Sequence, residues 1–466
     1  MPAWWQRSGA VAGAVLIAAA LPVWCAGQAH AIEPPAIDPG AVPRDVVAAP
    51  DEPMKQRYAC PPTGVLPDTD LAAAPAAQAF MNLPALWKAA GRGQGVTVAI
   101  VDTGVNPSVR LPRLRGGGDF VADGDGLSDC DPHGTIVASI IGGAPGPADG
   151  FSGVAPDVDL ISIRQSSQMF TPEYGGGDDH DRRAGSVSSL AKAIVLAADS
   201  GARVMNLSVV ACIPVLKPVD QTTLGAAVRY AAVEKDVVLV AAAANLSNPD
   251  CSQNPDIDAT SVNDPRGWNG VVTISTPSWF QPYVLSVTAT DANGQPAVDT
   301  SNREISLSGP WVGVGAPGLF VEGFNERGEL INGTFDAEKG ALKPMSGTSF
   351  SAAYVSGLAA LVRAKFPDLP AAQVISRIVQ TAHSPAAVVD NRVGHGVIDP
   401  LAALTYDVPE IAPPREHLTA PLGPPPPPAP TDYRPIIVAT AGSAALVAVM
   451  GAVFGIAALS KKKGRQ

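Results

Sequence analysis

The stretch Val98-Ala99-Ile100-Val101-Asp102-Thr103-Gly104 decides the fold, because a short and continuously apolar run ends directly on an aspartate. Similar apolar runs lie at 160–163, 204–207, 237–243 and 271–274, and helical patterns between them include 189–198 and 223–233. Buried strands that alternate with helices predict an α/β fold with a doubly wound parallel sheet flanked by helices. Such sheets carry functional groups at the carboxyl ends of their strands, where Asp102 stands. An aspartate in this position can also be only a helix cap.

The composition of the 466-residue chain fits a large folded domain with attachments. Charged residues make up 16% and hydrophobic residues 46%, so the chain can bury a sizeable core. The formal net charge of −11 argues against nucleic acid as the main partner, and we interpret it as an aid to solubility. No motif indicates a metal or another cofactor. The acidic loop 123–131 could bind calcium, but we interpret it as an exposed loop.

Both ends of the chain carry membrane signals. Residues 1–31 predict a signal peptide, because an apolar run at 9–24 follows one positive charge and Ala29-His30-Ala31 fits a cleavage site. An uncleaved anchor is the alternative. Residues 436–459 carry no charge and would form a helix of about 36 Å, which is enough to span a bilayer. The basic tail 460–466 predicts a cytoplasmic end, with the preceding residues outside.

The residues between these ends divide into three parts. Residues 32–84 are rich in Pro and Ala and predict an N-terminal extension that either lies on the next domain or is disordered. The alternating pattern predicts one domain over 85–405. Residues 406–435 predict a stiff linker, because they contain the proline run 424–428. A ligand for a proline-recognition domain is the alternative use of such a run.

Four cysteines remain once the predicted signal peptide is removed. They are Cys60, Cys130, Cys212 and Cys251. The predicted export places them in an oxidising compartment, where thiols pair. Two disulfides are therefore expected, and the residues alone leave three pairings open.

Four side chains supply what a serine nucleophile needs for peptide hydrolysis: a hydroxyl, a base, an acid that orients the base, and donors for an oxyanion. They are Ser349 at the start of a small-residue helix, His133 before an apolar helix, Asp102, and Asn245 after another apolar run. The Ser349 backbone N–H and the Asn245 amide would form a two-donor oxyanion hole. Each residue alone has a commoner role, as a cap, a structural histidine or a turn residue.

These residues, in the order Asp, His, Ser, resemble the subtilisin-like serine peptidases over about residues 85–405. The motifs Asp-Thr-Gly (102–104), His-Gly-Thr (133–135) and Gly-Thr-Ser (347–349) match that family, and an Asn lies between the last two. The resemblance implies a subtilisin-like fold in which Ser349 attacks the scissile carbonyl and His133 acts first as general base and then as general acid. It also implies that Asp102 orients His133 and that Asn245 stabilises the oxyanion.

Some residues depart from that family's pattern. Ala353, Tyr354 and Ala244 replace the usual Pro, His and Gly, and Val210 stands where Gly is common. The resemblance implies that five residues bind substrate: Ser208, Val209, Val210, Ala243 and Ala244. We expect Val210 and Ala244 to narrow the pocket for the residue before the cut, so that small residues such as Ala are preferred.

The attachments resemble a narrower group, the mycosins, which are membrane-anchored subtilases of mycobacterial type VII secretion systems. The matching features are the signal peptide, the extension with Cys60, Asp-Cys-Asp at 129–131, Cys212, the proline stalk and the C-terminal span. This resemblance implies a single-pass serine endopeptidase on the extracytoplasmic side of the inner membrane. Its partners would be a type VII secretion membrane complex and a secreted protein that it cuts at few sites. A scaffold for the complex, with proteolysis secondary, is the alternative.

The subtilisin-like sheet also implies a disulfide pairing. It places the strands that precede Cys212 and Cys251 side by side, so these two cysteines can meet. Cys60 would then pair with Cys130 and hold the extension beside His133. The extension could be an inhibitory propeptide, but a covalent tie favours a permanent wrap around the domain.

Overall fold

The computed structural model describes residues 32–174, 183–248, 250–337, 339–410, 416–419 and 433–463. It divides into a unit that ends at Thr419 and a unit that begins at Ala420. The predicted signal peptide, the proline run and the last three residues of the basic tail lie outside the described residues.

The described part of the first unit contains sixteen strands and eight α-helices. The strands are β1 (Met54–Gln56), β2 (Thr63–Gly64), β3 (Thr97–Asp102), β4 (Leu114–Asp119), β5 (Asp159–Arg164), β6 (Phe170–Pro172), β7 (Val204–Leu207), β8 (Ala211–Pro214), β9 (Val238–Ala242), β10 (Thr273–Thr276), β11 (Val284–Thr290), β12 (Val312–Pro317), β13 (Gly323–Phe324), β14 (Leu330–Ile331), β15 (Gly333–Asp336) and β16 (Ala341–Pro344). The helices are α1 (Ala76–Met81), α2 (Leu83–Ala90), α3 (His133–Gly142), α4 (Val187–Asp199), α5 (Thr222–Arg229), α6 (Thr348–Lys365), α7 (Ala371–Gln380) and α8 (Pro400–Thr405).

Seven of the strands form one sheet, in the order β12-β11-β9-β7-β3-β5-β4, and every neighbouring pair is parallel. Parallel neighbours need long crossover connections, and α3, α4 and α5 lie in the connections β4–β5, β5–β7 and β7–β9. The predicted α/β fold with a doubly wound parallel sheet is therefore confirmed.

Helices cover both faces of this sheet, because successive side chains of a strand point to opposite sides. Val98 and Ile100 of β3 pack in one cluster with α3 and α6. Ala99 and Val101 pack in a second cluster with α4 and α5. Helix α6 is buried continuously from Thr348 to Arg363. The first turn of α6 is therefore held in place by the core around it.

The apolar runs predict β3, β5, β7 and β9 to within one or two residues. The run 271–274 overlaps β10, which does not belong to the main sheet. Instead, β10 pairs antiparallel with β8. The pattern misses β4, β11 and β12. Strands β4 and β12 are rich in glycine, and β11 buries polar side chains among its apolar ones.

The described part of the extension is paired with other parts of the first unit at three places. Strand β1 pairs with β6, and β2 pairs with β15 as the third strand of a small sheet that ends in β16. Ile37 forms a bridge with Leu418, so the beginning of the extension meets the end of the unit. The Ile37 side chain is also buried in the cluster of α4 and α5.

The described residues of the second unit form one helix, α9 (Arg434–Lys463). Its segment Arg434–Ala457 is long and apolar enough to cross a membrane, and it includes most of the predicted span 436–459. The helix ends at Lys463, the last of the three lysines in the basic tail.

Candidate active site

The carboxyl ends of β3, β7 and β9 lie side by side, because these strands are neighbours in the parallel sheet. Asp102 ends β3, Ser208 follows β7, and Asn245 comes shortly after β9. His133 is the first residue of α3 and Ser349 the second of α6. These residues surround a cleft of about 470 Å³, which all of them except the fully buried Asp102 line directly.

A hydrogen bond joins Asp102 to His133. Asp102 Oδ1 lies 2.7 Å from His133 Nδ1 and also accepts a bond from the N–H of Thr103 at 2.7 Å. The carboxylate is buried, whereas 30% of the His133 side chain is exposed. Burial of the ring lowers its pKa, but the charge of Asp102 and the hydrogen bond to it outweigh this, and the pKa rises to about 8. A carboxylate on Nδ1 leaves Nε2 to exchange protons with a group in the cleft.

The Ser349 hydroxyl has a backbone partner in this structure. Within the described part of the chain, it donates to the carbonyl oxygen of Ser208 at 3.4 Å and not to the His133 ring. The Ser208 hydroxyl in turn donates to the carbonyl oxygen of Ser349 at 3.2 Å. The ring of Phe350, the next residue, lies 5.5 Å from the ring of His133. The hydroxyl is thus held by the backbone of Ser208, on the cleft that His133 also lines.

The amide of Asn245 is oriented by the start of α6. Its Oδ1 atom accepts bonds from the N–H of Thr348 at 3.0 Å and from the Thr348 hydroxyl at 3.2 Å. Because the oxygen takes these donors, the amide NH₂ group is available to the cleft that Asn245 lines. The positive end of the α6 dipole lies at the same place. This arrangement can stabilise an oxyanion between the Asn245 amide and the Ser349 N–H.

Two segments that line the cleft follow β5 and β7, the strands on either side of β3. One includes Ser166, Gln168 and Met169, and the other is 208–210. A further wall comes from the β15–β16 hairpin and from Pro61 of the extension. An extended peptide can lie between two such segments as an added strand.

Comparison with known proteins identifies the family. The model of the Subtilase family matches residues 93–396, a range that contains Asp102, His133, Asn245 and Ser349. Mycosin-1 of Mycolicibacterium smegmatis is 46% identical over 99% of this chain and 99% of its own length. The chain belongs to the mycosin family of subtilases. The resemblance predicted from the sequence is confirmed, and as a mycosin the chain is a subtilisin-like serine peptidase.

Solved mycosin structures agree with this fold. A crystal structure of MycP1 from the ESX-1 type VII secretion system superposes with a TM-score of 0.77, at 47% identity, over 83% of this chain and 100% of that one. A chain in the structure of an intact ESX-5 inner membrane complex gives a TM-score of 0.76 at 51% identity, over 91% of this chain and 100% of that one. The predicted subtilisin-like fold is thereby confirmed.

The residues predicted to bind substrate fall into two groups. Ser208, Val209 and Val210 line the cleft. Ala243 and Ala244 are fully buried behind it. Ala244 has a φ of 84°, in the left-handed region that favours glycine. The methyl group of Ala244 therefore stands at a strained position in the mycosin backbone.

The four cysteines form two disulfides in the same pairs that the resemblance implies. Cys60 is joined to Cys130 with Cα atoms 4.8 Å apart, and Cys212 to Cys251 with Cα atoms 5.2 Å apart. The first bond connects the extension to the segment just before α3. The second connects the loop after β9 to β8, which follows the 208–210 side of the cleft.

Sequence reasoning misses two carboxylates that contact the site. The interpretation of 123–131 as an exposed loop is wrong for Asp129, of which only 7% is exposed. Asp129 and Asp131 both bond to segments that border the cleft. The signal in the sequence is the pair of aspartates around Cys130, next to His133. Among the described residues, no group of three or more acidic, His or Cys side chains could hold a metal ion.

Proposed function

We propose that this mycosin is an endopeptidase in which Ser349, His133 and Asp102 form the catalytic triad. The observation that carries the proposal is the 2.7 Å bond between Asp102 and His133 Nδ1, on the cleft that Ser349 also borders. That bond selects the tautomer whose Nε2 accepts a proton. Asn245 completes the set, because its amide and the start of α6 face the same cleft.

The reaction follows from this arrangement. A peptide carbonyl enters the cleft, and the Ser349 hydroxyl leaves the carbonyl oxygen of Ser208 and turns to His133, as often happens only when substrate binds. His133 takes the proton while the oxygen attacks the carbonyl carbon, and the buried Asp102 stabilises the imidazolium. The Asn245 amide and the Ser349 N–H bind the oxyanion. His133 then protonates the leaving amine, and water releases the acyl group by the same steps.

Substrate binding is assigned to Ser208, Val209 and Val210 at the cleft, with Ala243 and Ala244 behind them. Val210 lines the cleft with a branched side chain where the subtilase pattern commonly has no side chain. Ala244 is fully buried behind the cleft and adds a methyl group at a position that favours glycine. Both features support a narrow pocket that accepts small residues before the cut.

The setting is the cell envelope. The protease domain lies outside the inner membrane, α9 (Arg434–Lys463) crosses it once, and the basic end is cytoplasmic. A mycosin of 51% identity is a chain of the ESX-5 inner membrane complex, which supports association of this chain with a type VII secretion membrane complex. A protease attached beside a secretion complex meets a few exported proteins, so we propose limited proteolysis of a secreted substrate.

The extension acts as a permanent wrap and not as an inhibitor that is released. Its β2 strand continues the sheet of β15 and β16, and Cys60 is bonded to Cys130. Cutting the chain would not free a segment that a disulfide and strand pairing both retain. Pro61 lines the cleft but leaves it open. The domain division that follows is 32–84 for the extension, 85–405 for the peptidase and 406–435 for the linker.

A fluorophosphonate probe tests the catalytic proposal directly, because it reacts only with an activated serine. We expect covalent labelling of the full-length wild type at Ser349 and none of Ser349→Ala, with peptide mass spectrometry to locate the adduct. The matched control is Ser346→Ala, which removes a nearby hydroxyl that also lines the cleft. Labelling that persists in Ser349→Ala would overturn the assignment.

The second candidate is a scaffold that stabilises the secretion complex, with proteolysis secondary. The membership of a related chain in the ESX-5 inner membrane complex favours it. Cells that lack the gene can be complemented with wild type or with Ser349→Ala. Secretion restored by both variants supports the scaffold, whereas secretion restored only by the wild type assigns the requirement to proteolysis.

A further inference from the structure

The segment Asp129-Cys130-Asp131 is separated from the helix that begins at His133 by Pro132 alone. It connects three parts of the molecule: the loop after β3, the start of α3, and the side of the cleft at 166–169. Cys130 in its centre is bonded to the extension. The two carboxylates accept hydrogen bonds from different donors, and neither takes part in the catalytic steps proposed for Ser349, His133 and Asp102.

Asp129 is a buried carboxylate whose oxygens are fully occupied by donors. Its Oδ1 atom accepts bonds from the Thr103 hydroxyl (2.9 Å) and the Asp131 N–H (3.0 Å). Its Oδ2 atom accepts bonds from the N–H (2.8 Å) and the hydroxyl (2.6 Å) of Thr135. Burial raises the pKa of Asp129 to about 7, and the hydrogen bonds from Thr135 and Thr103 oppose this rise. Four donors to one carboxyl group suit the ionised form, which only accepts.

These bonds join the two segments that carry the catalytic pair. Thr103 follows Asp102, and its own N–H bonds to the Asp102 carboxylate. The Thr103 hydroxyl also accepts a bond from the N–H of Gly134, the residue after His133. Thr135 lies in the first turn of α3. Asp129 therefore ties the end of β3 to the start of α3, and this tie sets the distance between Asp102 and His133.

Asp131 forms a second set of hydrogen bonds, to the segment 166–169 that lines the cleft. Its Oδ2 atom accepts a bond from the Ser167 hydroxyl (2.5 Å), and its Oδ1 atom accepts one from the N–H of Gln168 (2.7 Å). The Ser167 hydroxyl then accepts a bond from the N–H of Met169 at 3.1 Å. Gln168 and Met169 line the cleft. Asp131 thus holds one side of the cleft at a set distance from His133.

We propose that Asp129 and Asp131 are positioning residues with divided tasks. Asp129 holds the catalytic pair in its reactive geometry, and Asp131 holds the side of the cleft at 166–169 against which the substrate lies. The proposal deepens the proposed function and rests on it, since a triad must be at work for its positioning to matter. Neither residue touches the reacting atoms, and the effect of each passes through the segment that it bonds.

The charges around His133 affect its pKa, which can be measured from the pH profile. A purely structural role of Asp129 would leave this pKa unchanged. The negative charges that raise the pKa of the His133 ring come from Asp102, Asp129 and Asp131, in that order of size. Arg164 faces Asp131 from β5 and partly offsets it. Removing the charge of Asp129 must therefore lower the pKa at which His133 becomes a base.

The variant Asp129→Asn tests the first task. It keeps the shape of the side chain but places an NH₂ group against two of the four donors. The rate of labelling by a fluorophosphonate is measured, because this small probe needs the triad and not the sides of the cleft. We expect labelling to slow at least about ten-fold and the acid limb of its pH profile to move to lower pH. A rate within about two-fold of wild type, or an unmoved acid limb, overturns the assignment.

Two further variants keep this test decisive. If Asp129→Asn does not fold, Thr103→Val serves in its place. It removes only the hydroxyl that connects Asp129 to Gly134, and it must slow the labelling of Ser349 as well.

Asp264→Asn is the matched control, because Asp264 accepts two backbone N–H bonds in a turn outside the cleft. An equal loss in the Asp264 variant would assign the effect to general destabilisation. If the wild type itself is not labelled at Ser349, the proposed function fails, and not this inference.

The variant Asp131→Ala tests the second task on a fluorogenic peptide with Ala before the cut. We expect KM to rise by about ten-fold with a smaller change in kcat, because the side of the cleft at 166–169 loses its attachment. Asp129→Asn should show the opposite division, with kcat reduced more than KM is raised. The same division in both variants would show that the two aspartates act as one structural unit and would overturn the proposal.

Discussion

Asp102 and His133, the base half of the site, are held by carboxylates that accept hydrogen bonds. Ser349 and Asn245, the nucleophile half, depend instead on the packed start of α6, where Ser349 lies and where Thr348 bonds the Asn245 amide oxygen. In the base half, one carboxylate bonds the ring and a second ties the two segments together. In the nucleophile half, α6 is buried among apolar residues, and Ser349 makes one weak side-chain bond of 3.4 Å.

This difference predicts which kinds of change each half is sensitive to. Changes of charge and pH should act on the base half, since carboxylates determine both the geometry and the pKa of His133. Changes of volume should act on the nucleophile half, since a packed helix start and the walls near Val210 determine its shape. The variants below can separate the two.

The largest effect is expected for Asp102→Asn in the base half. The amide would place a donor against His133 Nδ1 and so favour the tautomer that cannot accept a proton from Ser349. We expect kcat to fall by about 10⁴-fold with the fold retained. Steady-state kinetics and circular dichroism check this. A small loss of activity in a well-folded variant would contradict the role of Asp102.

Asn245→Ala in the nucleophile half should cost less. One of two oxyanion donors is lost, which corresponds to a decrease in kcat of about 10²–10³-fold. The acid limb of the pH profile should stay in place, because the charges around His133 are unchanged. A shifted limb would show that the two halves are coupled more tightly than their bonds suggest.

The pH profile of the wild type reports on the base half alone. His133 must be neutral to accept the serine proton, and its pKa is raised to about 8. We therefore expect kcat/KM to rise about ten-fold between pH 7 and pH 9.

The stability of the fold should change in the opposite direction. The stabilisation from charged His133 is present below its ordinary pKa of 6.5 and is lost as pH rises through about 8. Rates and thermal unfolding measured across this range decide both points.

The pocket offers a test of volume. Val210→Gly should enlarge the pocket and improve cleavage after Phe relative to Ala by about ten-fold, as expected for a few methylene groups. Ala244→Gly should act in the same direction and relieve the positive φ as well. Competition between two peptides measures the ratio. A wild type that already prefers Phe or Leu would contradict the narrow pocket.

The smallest effect is expected for Tyr354→Phe in α6. The Tyr354 hydroxyl is buried without a hydrogen-bond partner among the described residues, and burial raises its pKa. Removing such a group should leave the free energy of unfolding unchanged or raise it by about 1 kcal/mol. Denaturant unfolding with the activity as control checks this. A clear loss of stability would indicate a partner for the hydroxyl.

The sequence predicts the parts of the site that sit on regular elements. Asp102 ends a strand of apolar residues and His133 begins a helix, and both positions follow from hydrophobic pattern and motif spacing. The sheet order then brings them to one edge. The same reasoning predicts β3 and β7 well, because both are short and continuously apolar.

The rest depends on contacts between distant residues, which no local pattern encodes. Asp129 looks like a member of an acidic loop, and only the fold around Thr103 and Thr135 buries it. The strand β2 has only two residues, and it forms a strand only because it pairs with β15. Ala244 gives no sign of its positive φ, since the backbone around it is set by neighbouring strands.

The pairing of Ile37 with Leu418 has a consequence for the order in which the exported chain folds. A chain that is threaded through a membrane from its amino end delivers Ile37 early and Leu418 almost last. Only residues 419–433 separate Leu418 from the apolar helix that follows. Closing so long a loop is slow compared with local folding. The contact of Ile37 with Leu418 therefore forms late, after the segments that carry the active site have been delivered.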